Sequence, residues 1–454
     1  MKLSVIILAA GKGLRMQSKL PKVLHKLAGQ TLLARVANKA QQLNGDVYVV
    51  YGNGGEEVRE AEASLSVAWV KQEQLLGTGH AVLQVLPHIP EDHQVLVLVG
   101  DSPLVKVSTL ERLLDLTKPD GVGLVTAEVQ DPTGLGRILH DQTGKVLGIV
   151  EERDANIEQR KIKEINSGII IVPAKYLKTW LPELKNDNAQ GEYYLTDIIE
   201  LAAKKDIPVR SLLADSPEEV LGINDRIQQA KLERIFQRLY AEELMLKGVT
   251  LLDPYRFDAR GEVEAEQDVI IDANVILEGK VHLGENSSIG ANCYLKNVYL
   301  GKNVEIKANS FIEDVVIGDG CVIGPFARIR PDTVLGEDCR VGNFVEIKKS
   351  KIGSRSKINH LSYIGDSEIG KEVNIGAGTI TCNYDGFNKH KTIIKDGAFI
   401  GSDSQLVAPV TIEEGAYIGS GSTISKTAPA NKLTVSRARQ VTIEGWQKPV
   451  KKAD

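Results

Sequence analysis

Aliphatic residues return every six positions through the second half of this 454-residue chain, a period that few folds can use. The anchors begin with Ile271, Leu277, Leu283, Ile289, Leu295, Leu300, Ile306 and Ile312. They continue through Ile317, Ile323, Ile329, Leu335, Val341, Ile347, Ile352, Ile358, Ile364, Ile369 and Ile375, and finish with Ile400, Leu406, Ile412, Ile418 and Ile424. A helix of 3.6 residues per turn would spread side chains spaced by six around every face. A short strand closed by a turn keeps them on one side. Each hexad then makes one flat wall, and three walls make a coil of about 18 residues stacked about 4.8 Å on its neighbour. The anchors point into the axis, and small residues two positions earlier, including Cys293, Cys321 and Cys339, fill inward slots. Four steps of five residues instead of six (295 to 300, 312 to 317, 347 to 352, 364 to 369) read as slips at corners. Between Thr381 and Ile394 the pattern breaks, and residues 382–389 read as a loop expelled from a regular wall, where function tends to collect.

The first half has another rhythm. Strand-like runs at 5–9, 47–51, 67–70, 95–99, 122–129 and 169–172 alternate with helical stretches such as 32–42 and 78–86. That is the βαβ pattern of an α/β, Rossmann-like, mostly parallel sheet covered on both faces. From 227 to 247 the apolar residues Leu232, Ile235, Phe236, Leu239 and Leu246 fall at amphipathic spacing, with Asn224 or Asp225 placed to cap the start and Gly248 after the end. A helix about 32 Å long follows from 1.5 Å per residue. It reads as a rigid spacer, giving an expected division into residues 1–225, a linker helix at 226–247 and a solenoid at 248–454.

Composition narrows the function classes. A net charge of −5 gives no electrostatic reason to expect nucleic-acid binding, and Lys448, Lys451 and Lys452 make only a short solvated tail. The four cysteines include no C-x-x-C pair, which suits reduced thiols in the cytoplasm. The apolar run 3–10 is too short to span a bilayer and no stretch reaches 18 apolar residues, so neither secretion nor membrane insertion is expected.

Three features carry chemistry. The run Leu8-Ala9-Ala10-Gly11-Lys12-Gly13-Leu14-Arg15-Met16 places a Gly-rich turn at the carboxyl end of a strand. Backbone N–H groups of such a turn can approach phosphate closely, though an ordinary tight turn has the same composition. The run matches neither a Walker A motif nor a dinucleotide fingerprint. Arg15 and Lys22 can neutralise a triphosphate, while Asp101, after the strand at 95–99, suits either Mg²⁺ or a cap before Pro103. In the solenoid His360 falls two residues past an anchor and should point outward near a corner. Taken alone it reads as an idle surface histidine. Arg330, Lys348, Tyr363 and Lys389, also near corners, can converge on a phosphate.

These residues resemble two halves of one family. Leu8 to Met16, Gln72 to His80, Gly100-Asp101, Thr133 to Arg137, Gly148 to Glu151, Asn166 to Gly168 and Gln190 to Asp197 resemble the uridylyltransferase branch of the sugar nucleotidyltransferases. Gly342 to Lys349, Asn359 to Tyr363, Asn374 to Gly378 and Cys382 to Gly386 resemble the bifunctional enzymes that join that activity to glucosamine-1-phosphate acetylation. The resemblance spans nearly the whole chain. It implies a left-handed parallel β-helix of hexapeptide repeats, a homotrimer with acetyl sites between neighbouring chains, and a product that feeds peptidoglycan and lipopolysaccharide precursors. It implies that Leu8, Ala9, Ala10, Gly11, Arg15 and Lys22 meet the UTP phosphates and that Gln72, Gly77 and Thr78 read uracil. Gly136, Glu151 and Asn166 would hold N-acetylglucosamine-1-phosphate, and Asp101 and Asn224 would hold Mg²⁺. Asn224 keeps the helix cap as a rival role.

For acetylation it implies His360 as general base and the Ala377 N–H as oxyanion donor. Arg330, Lys348, Tyr363, Asn374 and Lys389 would bind glucosamine-1-phosphate, and Asn383, Tyr384, Ser402, Ser420 and Arg437 would line the acetyl-CoA groove. Two positions depart from the family's common pattern, Leu14 replacing Thr and Leu75 replacing a second Gln, and Ser420 replaces an Ala found in some relatives. Two rival readings remain: a non-catalytic regulatory subunit, and a pyrophosphorylase whose solenoid only oligomerises the chain or binds effectors. Neither requires His360, the 382–389 loop and the cationic residues together.

Overall fold

The computed structural model describes residues 2–11, 13–52 and 55–451. Lys12 of the Gly-rich turn and Lys452 of the basic tail lie outside the described residues. The chain divides into two compact units at Phe236/Gln237.

In the first unit Leu3–Leu8 is a central strand, flanked in parallel by Asp46–Tyr51 and Gln94–Val99. Ala68–Lys71 extends the sheet in parallel beyond Asp46–Tyr51. Near-complete burial of Leu3–Leu8 is what a strand covered on both faces requires, and its unbroken run Leu-Ser-Val-Ile-Ile-Leu supplies it. On the other side Glu164–Pro173 runs antiparallel between Gln94–Val99 and Val122–Glu128, and Val209–Leu213 closes the edge in parallel. The hairpin Arg137–His140/Val146–Val150 hangs from Glu164–Pro173. Leu32–Gln41 and Thr78–Val85 are helices, as the periodicity predicts, and the Thr31 hydroxyl caps the first by accepting from the Ala34 N–H at 3.0 Å. The carboxyl ends of Leu3–Leu8 and Gln94–Val99 thus open on one edge of the sheet, the usual place for a ligand in an α/β fold.

Arg226–Leu246 is one continuous helix. Asp225 caps it, its Oδ1 accepting from the Gln228 N–H at 2.7 Å, while Gln228 Oε1 accepts from the Asn224 N–H at 2.8 Å. The Asn224 side chain is left for another partner. Both ends of the helix are packed: Leu232 joins Met16, Leu27, Leu32 and Ile223 in the first unit, and Ala241 and Leu244 join the solenoid core.

The second unit is a parallel β-solenoid. Each of the hexad anchors is buried, none exposing more than 4% of its surface. Among the described residues one wall is an 11-stranded parallel sheet, and the other two join as a 15-stranded sheet because early strands such as Phe311–Ile317 run round a corner. Equivalent residues in successive coils lie 17 or 18 apart, as in Ile289↔Ile306 and Ile323↔Val341, so the five-residue steps are absorbed one per coil. Ile375↔Ile400 spans 25, and the surplus is the expelled segment. Cys293, Cys321 and Cys339 are buried free thiols, and Cys382 is half-buried. Truncating an anchor isoleucine to Ala would cost about 2–5 kcal/mol.

One corner matters for the site. Its backbone is left-handed in every coil, occupied first by Asn274, Asn292 and Asn309, for which that conformation is cheap. Their amides form a ladder at 3.0 and 3.2 Å. The same corner then carries Phe326, Phe344 and Leu361.

Candidate functional site

Two sites emerge, one in each unit. At the edge of the first sheet a cavity of about 470 Å³ is lined by Leu8, Ala9, Ala10, Gly11, Lys22, Gln72, Gly77, Thr78 and Asp101, all named by the sequence. Leu75, singled out by the sequence as standing in place of a second Gln, and Glu192, inside the Gln190 to Asp197 stretch, also line it; Val23, Ala81 and Val99 complete it and were not named as lining residues, because packing rather than a motif sets them. Arg15 is exposed on the 3-10 turn Leu14–Met16, outside that lining.

The floor of the cavity is a clasp between two segments. The Gly79 N–H donates to the Tyr193 carbonyl at 2.8 Å, the Tyr193 N–H to the Leu76 carbonyl at 2.8 Å, and the Leu195 N–H to Thr78 Oγ1 at 3.0 Å. Gly77 adopts φ +106°, and a Cβ there would come 2.6 Å from the Tyr193 carbonyl oxygen. Only glycine fits. Gln72 is buried, its Nε2 donating to the Gly77 carbonyl at 3.1 Å and lying 3.0 Å from His80 Nδ1.

Asp101 and Asn224 come from strand end and helix start. The Ile223 N–H donates to the Asp101 carbonyl at 3.0 Å and draws the two together. Lys22 Nζ binds both, donating to Asp101 Oδ2 and, at 3.1 Å, to Asn224 Oδ1. One cation therefore already sits between the two oxygens proposed for Mg²⁺. A carboxylate and an amide oxygen that converge on a positive charge fit a divalent ion, which takes one or two protein oxygens and completes its octahedron with phosphate and water.

Gly136, Glu151 and Asn166 also converge. The Asn166 N–H donates to the Gly136 carbonyl at 2.9 Å, and a Cβ on Gly136 would stand 3.4 Å from Glu151 Oε2. Burial pushes the Glu151 carboxyl above its ordinary range, only partly offset by the Thr196 hydroxyl, which donates to Oε1 at 3.2 Å. A carboxyl of that kind is placed to exchange hydrogen bonds with sugar hydroxyls.

In the solenoid His360 is exposed on the outer wall, at the end of the strand Lys357–His360. Its Nδ1 lies 3.1 Å from Asn343 Oδ1 in the coil beneath. Ala377, Ser402 and Ser420 occupy the same corner station in the following coils: the Gly378 N–H donates to the His360 carbonyl, the Asp403 N–H to Ala377 and the Gly421 N–H to Ser402. Arg437 closes the column, its Nη1 donating to the Ser420 carbonyl at 2.8 Å.

Around the corner from His360 lie the cations. Lys348 stacks on the coil of Arg330 and beneath Gly365. The neighbouring Lys389 ammonium holds the Lys348 ammonium below its ordinary range; Arg330 adds to this and Asp366 opposes it. A lysine whose proton affinity is lowered by a second ammonium beside it marks a site short of an anion. Arg330 is partly engaged, its Nη1 donating to Glu346 Oε1 at 2.8 Å. Lys389 is delivered by the expelled segment, a hairpin closed by the Tyr384↔Lys389 bridge. Asp385 braces it by accepting from the N–H groups of Phe387 and Asn388, with His390 Nε2 2.7 Å from Oδ2. Gly365 makes room for this arrangement: a Cβ there would meet Tyr363 Oη at 2.5 Å and Asn383 Nδ2 at 2.7 Å.

The sequence-named residues thus separate into two groups. Arg330, Lys348, Tyr363 and Lys389 share one patch. Asn383 joins them, its Nδ2 bonded to Asp366 Oδ2 at 2.5 Å, rather than the Ala377–Ser402–Ser420 column. Tyr384 is exposed on the hairpin, and Asn374 sits on the wall that ends in the His360 corner. Asn343 was missed as a site residue, although its offset of 17 from His360 is one coil step and points to it.

A nucleotide-sized cavity at the carboxyl edge of a parallel sheet, and a histidine beside a cationic patch on a hexapeptide solenoid, define a nucleotidyltransferase fused to a hexapeptide acyltransferase. Residues 5–204 match the MobA-like NTP transferase domain, 259–352 the GMPPB C-terminal domain and 391–426 the bacterial transferase hexapeptide of six repeats. The bifunctional protein GlmU of Legionella pneumophila is 54% identical over 458 residues, covering 100% of this chain and 99% of its own length. That of Azoarcus sp. is 52% identical, covering 99% of this chain and 100% of its own, and that of Methylococcus capsulatus is 54% identical, covering 99% and 98%. The chain belongs to the family of bifunctional GlmU proteins. A solved UDP-glucose pyrophosphorylase in complex with UDP-glucose covers 52% of the chain at 17% identity with a TM-score of 0.43, too remote for its ligand to bear on these sites.

Proposed function

We propose that the chain makes UDP-N-acetylglucosamine in two steps, each in its own unit. The solenoid acetylates glucosamine-1-phosphate with acetyl-CoA, and the N-terminal unit couples the N-acetylglucosamine-1-phosphate to UTP, releasing pyrophosphate. The observation that carries this reading is the exposed His360 imidazole beside the Lys348–Lys389 pair, in a chain that also holds the nucleotide-sized cavity.

In acetyl transfer the acceptor's phosphate docks on Arg330, Lys348, Tyr363 and Lys389, with Asn374 on the sugar. His360 Nε2 takes a proton from the amine as nitrogen bonds to the thioester carbonyl carbon, and the CoA thiolate leaves. A neutral imidazole carries one nitrogen lone pair able to accept it. The Ala377 N–H stabilises the oxyanion. CoA lies along Ser402, Ser420 and Arg437, with Asn383 and Tyr384 from the hairpin.

In uridylyl transfer the backbone at Leu8–Gly11, with Arg15 and Lys22, meets the UTP phosphates. Gln72, Gly77 and Thr78 face uracil, and Gly136, Glu151 and Asn166 hold the sugar. A sugar-phosphate oxygen attacks the α-phosphorus in line and pyrophosphate departs, so no protein nucleophile is needed. Asp101 and Asn224 would hold Mg²⁺, which neutralises phosphate charge when bound. Unless Lys22 leaves that position it competes with the ion. A homotrimer, with acetyl sites completed by neighbouring chains, and a cytoplasmic location belong to the same reading. No described helix is long and apolar enough to cross a membrane.

The test supplies glucosamine-1-phosphate, acetyl-CoA, UTP and Mg²⁺, omits each in turn, and identifies products. His360→Ala should lower acetylation about 10²–10⁴-fold and leave uridylylation intact, and Asp101→Ala should do the reverse. Parallel losses in both assays would refute two separate sites.

A further inference from the structure

Arg340–Asn343 and Lys357–His360 are neighbouring parallel strands on one wall, with Asn343 and His360 as direct register partners. Side chains at paired positions of adjacent coils stack, and Asn343 Oδ1 stands 3.1 Å from His360 Nδ1. The Asn343 carbonyl accepts from the Leu361 N–H at 3.1 Å, so the amide and the imidazole hang from one rigid corner. Earlier coils place Ala273, Ala291 and Ala308 at this station, none able to bond an imidazole. A side chain that can do so stands immediately beneath His360.

We infer that Asn343 is a positioning residue for acetyl transfer, its amide oxygen holding the proton on His360 Nδ1 and leaving the Nε2 lone pair facing outward as the base. The inference rests on the proposed role of His360. A neutral imidazole carries one N–H and one lone pair, and the hydrogen bond made by one nitrogen decides which is which. An amide oxygen accepts from Nδ1–H and cannot accept from a bare Nδ1. When Nε2 takes the substrate proton, the Nδ1–H···O bond becomes charge-assisted and stronger, which favours the step. A carboxylate in the same place would fix the same tautomer, but its full negative charge would also stabilise the imidazolium and raise the pH at which the ring becomes free to act as a base. The amide is therefore the group that orients without over-stabilising the imidazolium.

The test measures pH profiles of acetylation for wild type, Asn343→Ala and Asn343→Asp in the full chain, with uridylylation as the control for folding. Asn343→Ala should lower kcat about 10–100-fold with little change in KM for acetyl-CoA or glucosamine-1-phosphate. Asn343→Asp should move the acid limb of the kcat profile up by about one pH unit or more and recover rate on the alkaline side. An unmoved limb in Asn343→Asp, or an unchanged kcat in Asn343→Ala, would overturn the inference. So would losses in both variants confined to KM or to folding. His360→Ala separates the two levels: if it retains acetylation the reading of the site fails, and if it loses acetylation while neither Asn343 variant changes kcat or its pH profile only the role of Asn343 fails.

Discussion

Replacing Lys22 by Met should tighten metal binding while slowing the reaction the metal serves. The Lys22 ammonium bonds both Asp101 and Asn224, and the Lys22 and Asp101 side chains are only 14% and 18% exposed. A divalent ion entering between those oxygens must break a partly buried charge-assisted hydrogen bond, worth about 1.5–3 kcal/mol net. At 1.4 kcal/mol per factor of ten, removing that competition should tighten Mn²⁺ binding about 10–100-fold. The assay titrates Mn²⁺ alone, without nucleotide, and follows free Mn²⁺ by electron paramagnetic resonance. Uridylyl transfer should fall in the same variant because Lys22 no longer meets the phosphates. Asp101→Asn should abolish the binding. If Asp101→Asn does so while Lys22→Met binds Mn²⁺ no more tightly than wild type, the competition does not exist.

Further outcomes follow from single environments. Gly77→Ala should destabilise the first unit by about 1–3 kcal/mol, lowering its melting transition, and raise KM for UTP, since its Cβ would meet Tyr193; an unshifted transition counts against the clasp. Burial pushes the Asp197 carboxyl up to about 6. The folded state thus holds its proton to higher pH than the unfolded chain, so wild-type stability should rise as pH falls from about 6 to 4. Asp197→Asn should then be more stable at pH 7.5 by about 1 kcal/mol, a figure reduced for solvent screening, and lose that advantage near pH 4; equal melting at both pH values would refute it. Backbone N–H groups of Asn388 and Phe387, with His390, hold the Asp385 carboxyl well below its ordinary range, so its bracing is complete at neutral pH and lost only as pH falls below about 4. Asp385→Asn should raise KM for glucosamine-1-phosphate about fivefold, leaving that for acetyl-CoA unchanged; an unaltered acceptor KM would show that the hairpin needs no brace.

The solenoid was legible because its rule is local. A six-residue period fixes which side chain points inward at each hexad, and every anchor from Ile271 to Ile424 obeyed it. The Gly-rich turn, Asp101 and His360 were legible too, since each sits at a strand end or corner that periodicity locates. Hairpin Arg137–His140/Val146–Val150 and strand Val209–Leu213 escaped because short strands with mixed burial carry little periodic signal.

Partnership required the folded chain. Whether Asn224 or Asp225 capped the helix was open in the sequence, and the structure assigned the cap to Asp225, leaving Asn224 with Lys22. Asn383, grouped by motif with Ser402 and Ser420, packs instead beside Tyr363 and Asp366. The physical reason is the same in each case. Which way a residue faces is a property of its own few neighbours in the chain, whereas which atoms stand 3 Å away depends on segments 17 or 200 residues distant, brought there by coil stacking and sheet order.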